Sequence, residues 1–170
     1  ESHEPVAGEQ YFRSEIRPEI PGIKVDEKNK PLVLIVEDNP DLTQYIAGNL
    51  ERQYRIVYAG NGKQGFEMAV ENIPDLVISD LMMPVMDGNK MCQLIRKDEK
   101  TSHIPLILLT AKAGEEDKIE GLETGADDYI LKPFDPIELL VRIKNLIIQR
   151  NNLRQKYLRQ AEIHPTEIAV

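Results

Sequence analysis

The sequence has no tryptophan, only three phenylalanines and a single cysteine in 170 residues. One cysteine excludes an internal disulfide, so burial alone must hold the fold, and a reducing compartment is expected. Cys92 sits among Met91, Leu94 and Ile95 on an expected helix, which reads as a buried structural thiol rather than a reactive one. No apolar run approaches the roughly 20 residues of a membrane-spanning helix, and no signal-peptide pattern precedes the first apolar strand. A soluble, cytoplasmic segment without membrane contact of its own is expected, any membrane anchor belonging to other parts of a parent chain. An excess of basic charge is also missing. Net charge is −8, and residues 31–150 carry 13 basic against 20 acidic groups. Such a body is poorly suited to gripping phosphate backbones, whose affinity comes largely from Lys and Arg.

The length suits one domain of about 100–150 residues with tails. Residues 1–30 hold three prolines, scattered charge and isolated apolar residues (Ile16, Ile20, Ile23, Val25), and read as a linker that ends at Pro31. The first residue is Glu1 and the first convincing strand starts near Leu32, so the chain reads as part of something larger. A domain over 31–150 and a C-terminal helical linker over 151–170 follow.

Within 31–150 strands alternate with helices. Leu32–Val36 is an apolar strand, and Asn39-Pro40 starts a helix carrying Leu42, Tyr45, Ile46 and Leu50. Tyr54–Ala59 mixes polar and apolar residues, as an edge strand does. Asn61-Gly62 leads into a second helix with Phe66, Ala69, Val70 and Ile73 inward, stopped by Pro74. Leu76–Ile78 is a strand buried on both faces. A third helix spans about Asn89–Lys97, and Ile104–Leu109 is the fourth strand. A loosely anchored helix is expected over Glu115–Glu123, which contains Gly121. Asp128–Leu131 is the fifth strand, and a last helix starts near Asp135-Pro136. This rhythm predicts an α/β fold, a doubly wound five-stranded parallel sheet of order 2-1-3-4-5. In that order the winding reverses between strands one and three, and ligands bind there, beyond the strands' C-terminal ends.

Four of those ends are polar. Glu37-Asp38 follows the first strand, Asp80 the third, Thr110 the fourth and Lys132-Pro133 the fifth. Carboxylates gathered in one crevice repel one another, and Mg²⁺ is the cation that hard oxygen ligands with room for water suit best. Three carboxylates, a divalent cation and Lys132 leave a nearly neutral crevice that can accept a phosphoryl group onto a carboxylate nucleophile.

The set Glu37-Asp38, Asp80 with Pro84 and Gly88, Thr110-Ala111 and Lys132-Pro133 resembles the receiver domain of bacterial two-component response regulators over about residues 32–150, a flavodoxin-like fold. The resemblance implies that Asp80 is the phosphoacceptor and that Asp38, Asp80 and the main-chain carbonyl of Met82 ligate Mg²⁺, with Glu37 completing the acidic pair. It further implies that Thr110 and Lys132 hold the phosphoryl group, that Tyr129 is the aromatic switch, and that the Lys132–Pro133 bond is cis. The implied partner is the phosphohistidine domain of a histidine kinase, and the chain is implied to be a phosphoacceptor with only self-phosphotransfer and autodephosphorylation rather than an enzyme. Met82 and Lys112, which follow Asp80 and Thr110 by two, are implied to tune the phosphoryl lifetime. A flavodoxin-like cofactor binder shares the sheet order, but Glu37-Asp38 would repel a flavin phosphate. An aspartyl phosphatase needs a second acid beside its nucleophile, where Leu81 and Met82 stand.

Apolar residues continue at helical spacing through Leu139, Ile143, Leu146, Ile147, Leu153 and Tyr157, with no Pro or Gly from Ile137 to His164. The partial seam is interrupted by Arg150 and Gln160, so any homodimer through it is expected to be weak. The basic stretch Arg150–Tyr157 resembles the connector to an AraC-type helix-turn-helix output in hybrid two-component proteins with a sensor kinase upstream. Any DNA contact then belongs to an output domain outside this chain.

Overall fold

A computed structural model of the chain describes residues 27–111, 123 and 125–163. A 3-10 turn at Glu27–Asn29 precedes β1 (Leu32–Val36), α1 (Pro40–Leu50), β2 (Arg55–Ala59), α2 (Gly62–Asn72), β3 (Leu76–Asp80), α3 (Gly88–Lys97), β4 (Leu106–Thr110), β5 (Asp128–Leu131) and α4 (Pro136–Ile163). The strands form one sheet of order β2-β1-β3-β4-β5, and all four pairings are parallel. This is the predicted doubly wound order.

The apolar runs of β1, β3 and β4 fill the middle because both their faces are covered, and β3 and β4 are buried throughout. The mixed β2 lies at an edge with Arg55 and Tyr58 exposed. On one face α1 and α4 pack Ile46, Leu50, Leu139, Ile143 and Ile147 against Val33, Ile35 and Ile78. On the other, α2 and α3 pack Ala69, Met91, Cys92 and Ile95 against Leu34, Val36 and Leu108. Each fully buried Leu or Ile contributes about 1.5–3 kcal/mol.

Several boundaries differ from the sequence reading. Fourth-strand pairing starts at Leu106 rather than Ile104 because Pro105 has no N–H to offer, although its carbonyl still accepts the Val77 N–H (2.9 Å). Tyr54 lies in the turn between α1 and β2 rather than in the strand, its N–H donating to the Leu50 carbonyl at 3.0 Å. Ile73, read as an inward residue, is instead the left-handed cap of α2 (φ 44°) and is 40% exposed. Part of the expected linker is held by the fold: the Lys30 carbonyl accepts from Arg55 Nε (3.0 Å) and the Lys30 ammonium pairs with Glu27 (2.7 Å). The helix expected over Glu115–Glu123 lies, Glu123 excepted, outside the described residues.

The last helix runs unbroken through the expected 150/151 boundary to Ile163. Its early apolar positions, Leu139 and Ile143, are committed to the domain's own core, so only Leu153 and Tyr157 of the predicted seam stand exposed.

Two devices shape the loop between β3 and α3. A Cβ on Gly88 would lie 2.5 Å from the Asp80 carbonyl oxygen, so only glycine lets α3 start directly against the end of β3. Val85 has φ 69° and is 78% exposed, a strained conformation for a β-branched residue. Val85→Gly is expected to raise stability by about 0.5–1 kcal/mol, the relieved strain exceeding the added chain entropy. Urea unfolding checks this, and an unchanged or lower midpoint would contradict the strain argument.

Candidate functional site

The register brings the polar strand ends together. Val36 pairs with Ser79, so Glu37 stands beside Asp80; Asp80 pairs with Leu109 and Thr110 with Leu131, so Thr110 and Lys132 continue the same rim. The Leu81 N–H donates to the Leu109 carbonyl (2.9 Å) and the Lys132 N–H to the Thr110 carbonyl (2.6 Å), which extends the ladder one step past the strands. The Lys132–Pro133 bond is cis, and Phe134 just beyond it meets the Tyr45 ring of α1 at 6.4 Å.

Glu37, Asp38 and Asp80 each place a carboxylate oxygen within 4.8 Å of the others. Glu37 and Asp80 are buried while Asp38 faces solvent. Lys132 Nζ lies 3.2 Å from Asp80 Oδ1 and 3.5 Å from Glu37 Oε2. The Asn39 N–H donates to Glu37 Oε1 (3.2 Å). Asn39 stands out in the sequence as the α1 cap, and its side chain does cap the helix by accepting from the Asp41 and Leu42 N–H groups. Its own N–H holding Glu37 has no sequence signal. Beside the acids a cavity of about 440 Å³ opens between Pro40, Thr43, Tyr58 and Gln64.

Thr110 is buried at the end of β4, and Met82, two residues past Asp80, is exposed. Tyr129 lies buried among Leu106, Leu108 and Ala126, and its hydroxyl has no hydrogen-bond partner among the described residues. Arg96, which no motif marks, ties α3 to the chain ahead of β5. Its guanidinium donates to the carbonyls of Gly125 (2.8 Å), Ser102 (3.2 Å) and Ile104 (2.5 Å) and to the Asp127 carboxylate (2.7 Å).

Burial, then the neighbouring Asp80 charge, push the Glu37 carboxyl up to about 7, while Lys132 and the Asn39 N–H pull the other way. The pocket is thus short of positive charge, and three hard oxygen donors fit a divalent cation such as Mg²⁺. In metal-free protein the native state keeps the Glu37 proton between about pH 4.5 and 7, where the unfolded chain has released it. Stability should therefore fall as pH rises through that window, by about 1–3 kcal/mol at 1.36 kcal/mol per pK unit. Calorimetry in EDTA at pH 5 and 7.5 checks this against Glu37→Gln, which should lose that part of the slope; identical slopes would reject the assignment.

A sequence profile of the family described as the response regulator receiver domain matches residues 33–144. The chain is 44% identical over 146 residues to histidine kinase P4 of Formosa agariphila, covering 86% of this chain and 11% of that protein. It is 43% identical over 116 residues to the phosphate regulon transcriptional regulatory protein of Pseudomonas aeruginosa, covering 68% of this chain and 51% of that protein. The chain thus spans about a tenth of the first relative and half of the second. Among solved structures it is similar to the receiver domain of a sensor histidine kinase from Pseudomonas aeruginosa, crystallised with a magnesium ion in its active-site cleft. That likeness has a TM-score of 0.65 and 33% identity, covering 69% of this chain and 98% of that one.

Proposed function

Because the chain belongs to the response regulator receiver family of two-component systems, we propose that Asp80 is its phosphoacceptor and takes the phosphoryl group from a phosphohistidine. The observation that carries this reading is the Lys132 ammonium 3.2 Å from a buried Asp80 that shares its crevice with two further carboxylates. An Asp80 carboxylate oxygen attacks phosphorus as the P–N bond breaks; the bond pair stays on the imidazole nitrogen, and the product is an aspartyl phosphate. Lys132 and the Thr110 hydroxyl hold the phosphoryl oxygens.

Asp38, Asp80 and the main-chain carbonyl of Met82 would hold Mg²⁺, with Glu37 completing the acidic pair. The ion supplies positive charge against the incoming phosphoryl oxygens. Glu37 must be ionised to contribute, and the Asn39 N–H and Lys132 both favour that state. Water returns Asp80 to its free form by hydrolysing the acyl phosphate, so the chain is the substrate of a transfer and undergoes only its own phosphorylation and dephosphorylation.

Tyr129 is the switch residue of this reading: it lies in the strand next to that of Thr110, and its buried hydroxyl has no partner among the described residues. The partner is a histidine kinase's phosphohistidine domain. High identity to a stretch that makes up 11% of a histidine kinase supports a hybrid parent, while the regulator relative supports a transcriptional output outside this chain. Acetyl phosphate with Mg²⁺ tests the core of this reading. One phosphoryl group should add to the intact mass and disappear in alkali; no adduct, or turnover of a generic phosphate ester, would overturn it.

A further inference from the structure

The chain carries its sulfur in five methionines and one cysteine, and the fold treats them unequally. Met91 and Cys92 of α3 are fully buried, and Met68, Met83 and Met86 are half-buried against the same core. Met82 alone stands exposed, at 60%. An oxidant in solution therefore meets one sulfur ahead of the others, and it belongs to the residue two past Asp80.

That exposure is built into the backbone. The Leu81 N–H donates to the Leu109 carbonyl (2.9 Å) and the Leu81 carbonyl accepts from the Gly88 N–H (2.9 Å), so Leu81 is held just beyond β3 with its side chain inward and 6% exposed. Farther along, the Met86 N–H donates to the Pro84 carbonyl (2.8 Å) around Val85 at φ 69°, and the Met86 carbonyl accepts from the Gly62 N–H (3.1 Å). Both ends of the loop are pinned. With Leu81 taking the inward place, Met82 is turned outward.

A thioether is a soft nucleophile that peroxides convert to a sulfoxide. The sulfur attacks one oxygen of hydrogen peroxide; the S–O bond forms as the O–O bond breaks, and the electron pair leaves on the other oxygen as hydroxide. The proton on the transferred oxygen passes to that hydroxide and gives water. Sulfur is oxidised by two electrons and the peroxide is reduced by two. A polar S=O group then stands where the side chain was apolar.

We propose that Met82 is a site of reversible oxidation by peroxide and that its sulfoxide shortens the life of the phosphoryl group on Asp80. The second half rests on the reading of Asp80 as the phosphoacceptor. Loss of an acyl phosphate needs a water beside it, and the thioether presents apolar surface immediately past the end of β3, where the sulfoxide oxygen would instead hold water by hydrogen bonds. The oxidation state of one side chain thus sets how long the phosphorylated state persists, with Asp80 itself unaltered.

Hydrogen peroxide treatment of the full chain, read by peptide mass mapping and then by phosphorylation with acetyl phosphate and Mg²⁺, tests this. One oxygen should add to the Met82 peptide before any other methionine is modified, and the half-life of the phosphorylated form should fall several-fold. The two methionine sulfoxide reductases, one for each sulfoxide epimer, should restore both readouts. In Met82→Leu, compared with its own untreated sample, peroxide should leave the half-life as it was. Oxidation that reaches Met68, Met83 or Met86 first, an unchanged half-life with Met82 oxidised, or equal shortening in Met82→Leu overturns the proposal. Failure of the untreated protein to take up a phosphoryl group counts against the Asp80 reading and removes the lifetime claim with it, a failure distinguished by the mapping, which needs no phosphoryl group.

Discussion

Asp80→Asn is expected to abolish phosphoryl uptake from acetyl phosphate and Mg²⁺ completely, because the amide has no anionic oxygen to attack phosphorus while the rest of the crevice is retained. The same substitution should make the metal-free protein more stable near neutral pH. Asp80 is the neighbouring charge that helps push the Glu37 carboxyl up to about 7, so its removal lets Glu37 ionise at lower cost. Asp80→Asn also relieves a cluster whose carboxylate oxygens crowd within 4.8 Å. Intact mass with and without phosphodonor, and thermal unfolding in EDTA at pH 7, give the two readouts. An equal adduct on the mutant would remove Asp80 from its role. A lost adduct with lowered stability would show that the Lys132 contact outweighs the repulsion among the acids.

The fold is legible in this sequence because its signals are local. Continuous apolar runs such as Leu32–Val36 and Leu106–Leu109 can only be strands covered on both faces, and the polar Arg55 and Tyr58 mark β2 as an edge. Ile73 was legible only as apolar: one residue past a helix and before Pro74 it had to leave the helical path, and cap geometry, not periodicity, decides its side. The Arg96 clamp is invisible for a different reason. Its acceptors, three main-chain carbonyls and the Asp127 carboxylate, lie on segments that meet it only after α3, β4 and β5 are in place.

The site shows the same division. Residue types at four strand ends indicate which groups share a crevice once the strand order is set. They do not indicate that Glu37 is more deeply buried than Asp38, or that the Asn39 N–H reaches its carboxylate. Those facts depend on how the chain turns between β1 and α1, and they determine which acid retains its proton near pH 7.

Lys132→Met should separate the two electrostatic tasks of the crevice. The ammonium sits 3.2 Å from Asp80 and 3.5 Å from Glu37, and methionine retains much of the stem while removing the charge. Loss of a preorganised donor to the phosphoryl oxygens should slow uptake by about 10²–10³-fold. Mg²⁺ binding should change in the opposite direction. Two unit charges about 4 Å apart interact by roughly 4 kcal/mol at the effective dielectric of a protein surface, and a unit charge against a divalent cation by about twice that, so removal of the ammonium should tighten binding by at least about tenfold. Proton competition can mask that gain, because Lys132 also holds the Glu37 carboxyl down and its loss moves that group above about 7. The tightening should therefore be full at pH 8.5 and shrink as pH falls toward 6. Titration calorimetry with Mg²⁺ at the two pH values, alongside phosphorylation kinetics at saturating Mg²⁺, separates the effects. Weaker Mg²⁺ binding at pH 8.5 would mean that Lys132 serves mainly to hold the carboxylates in place, and unchanged kinetics would remove it from phosphoryl contact.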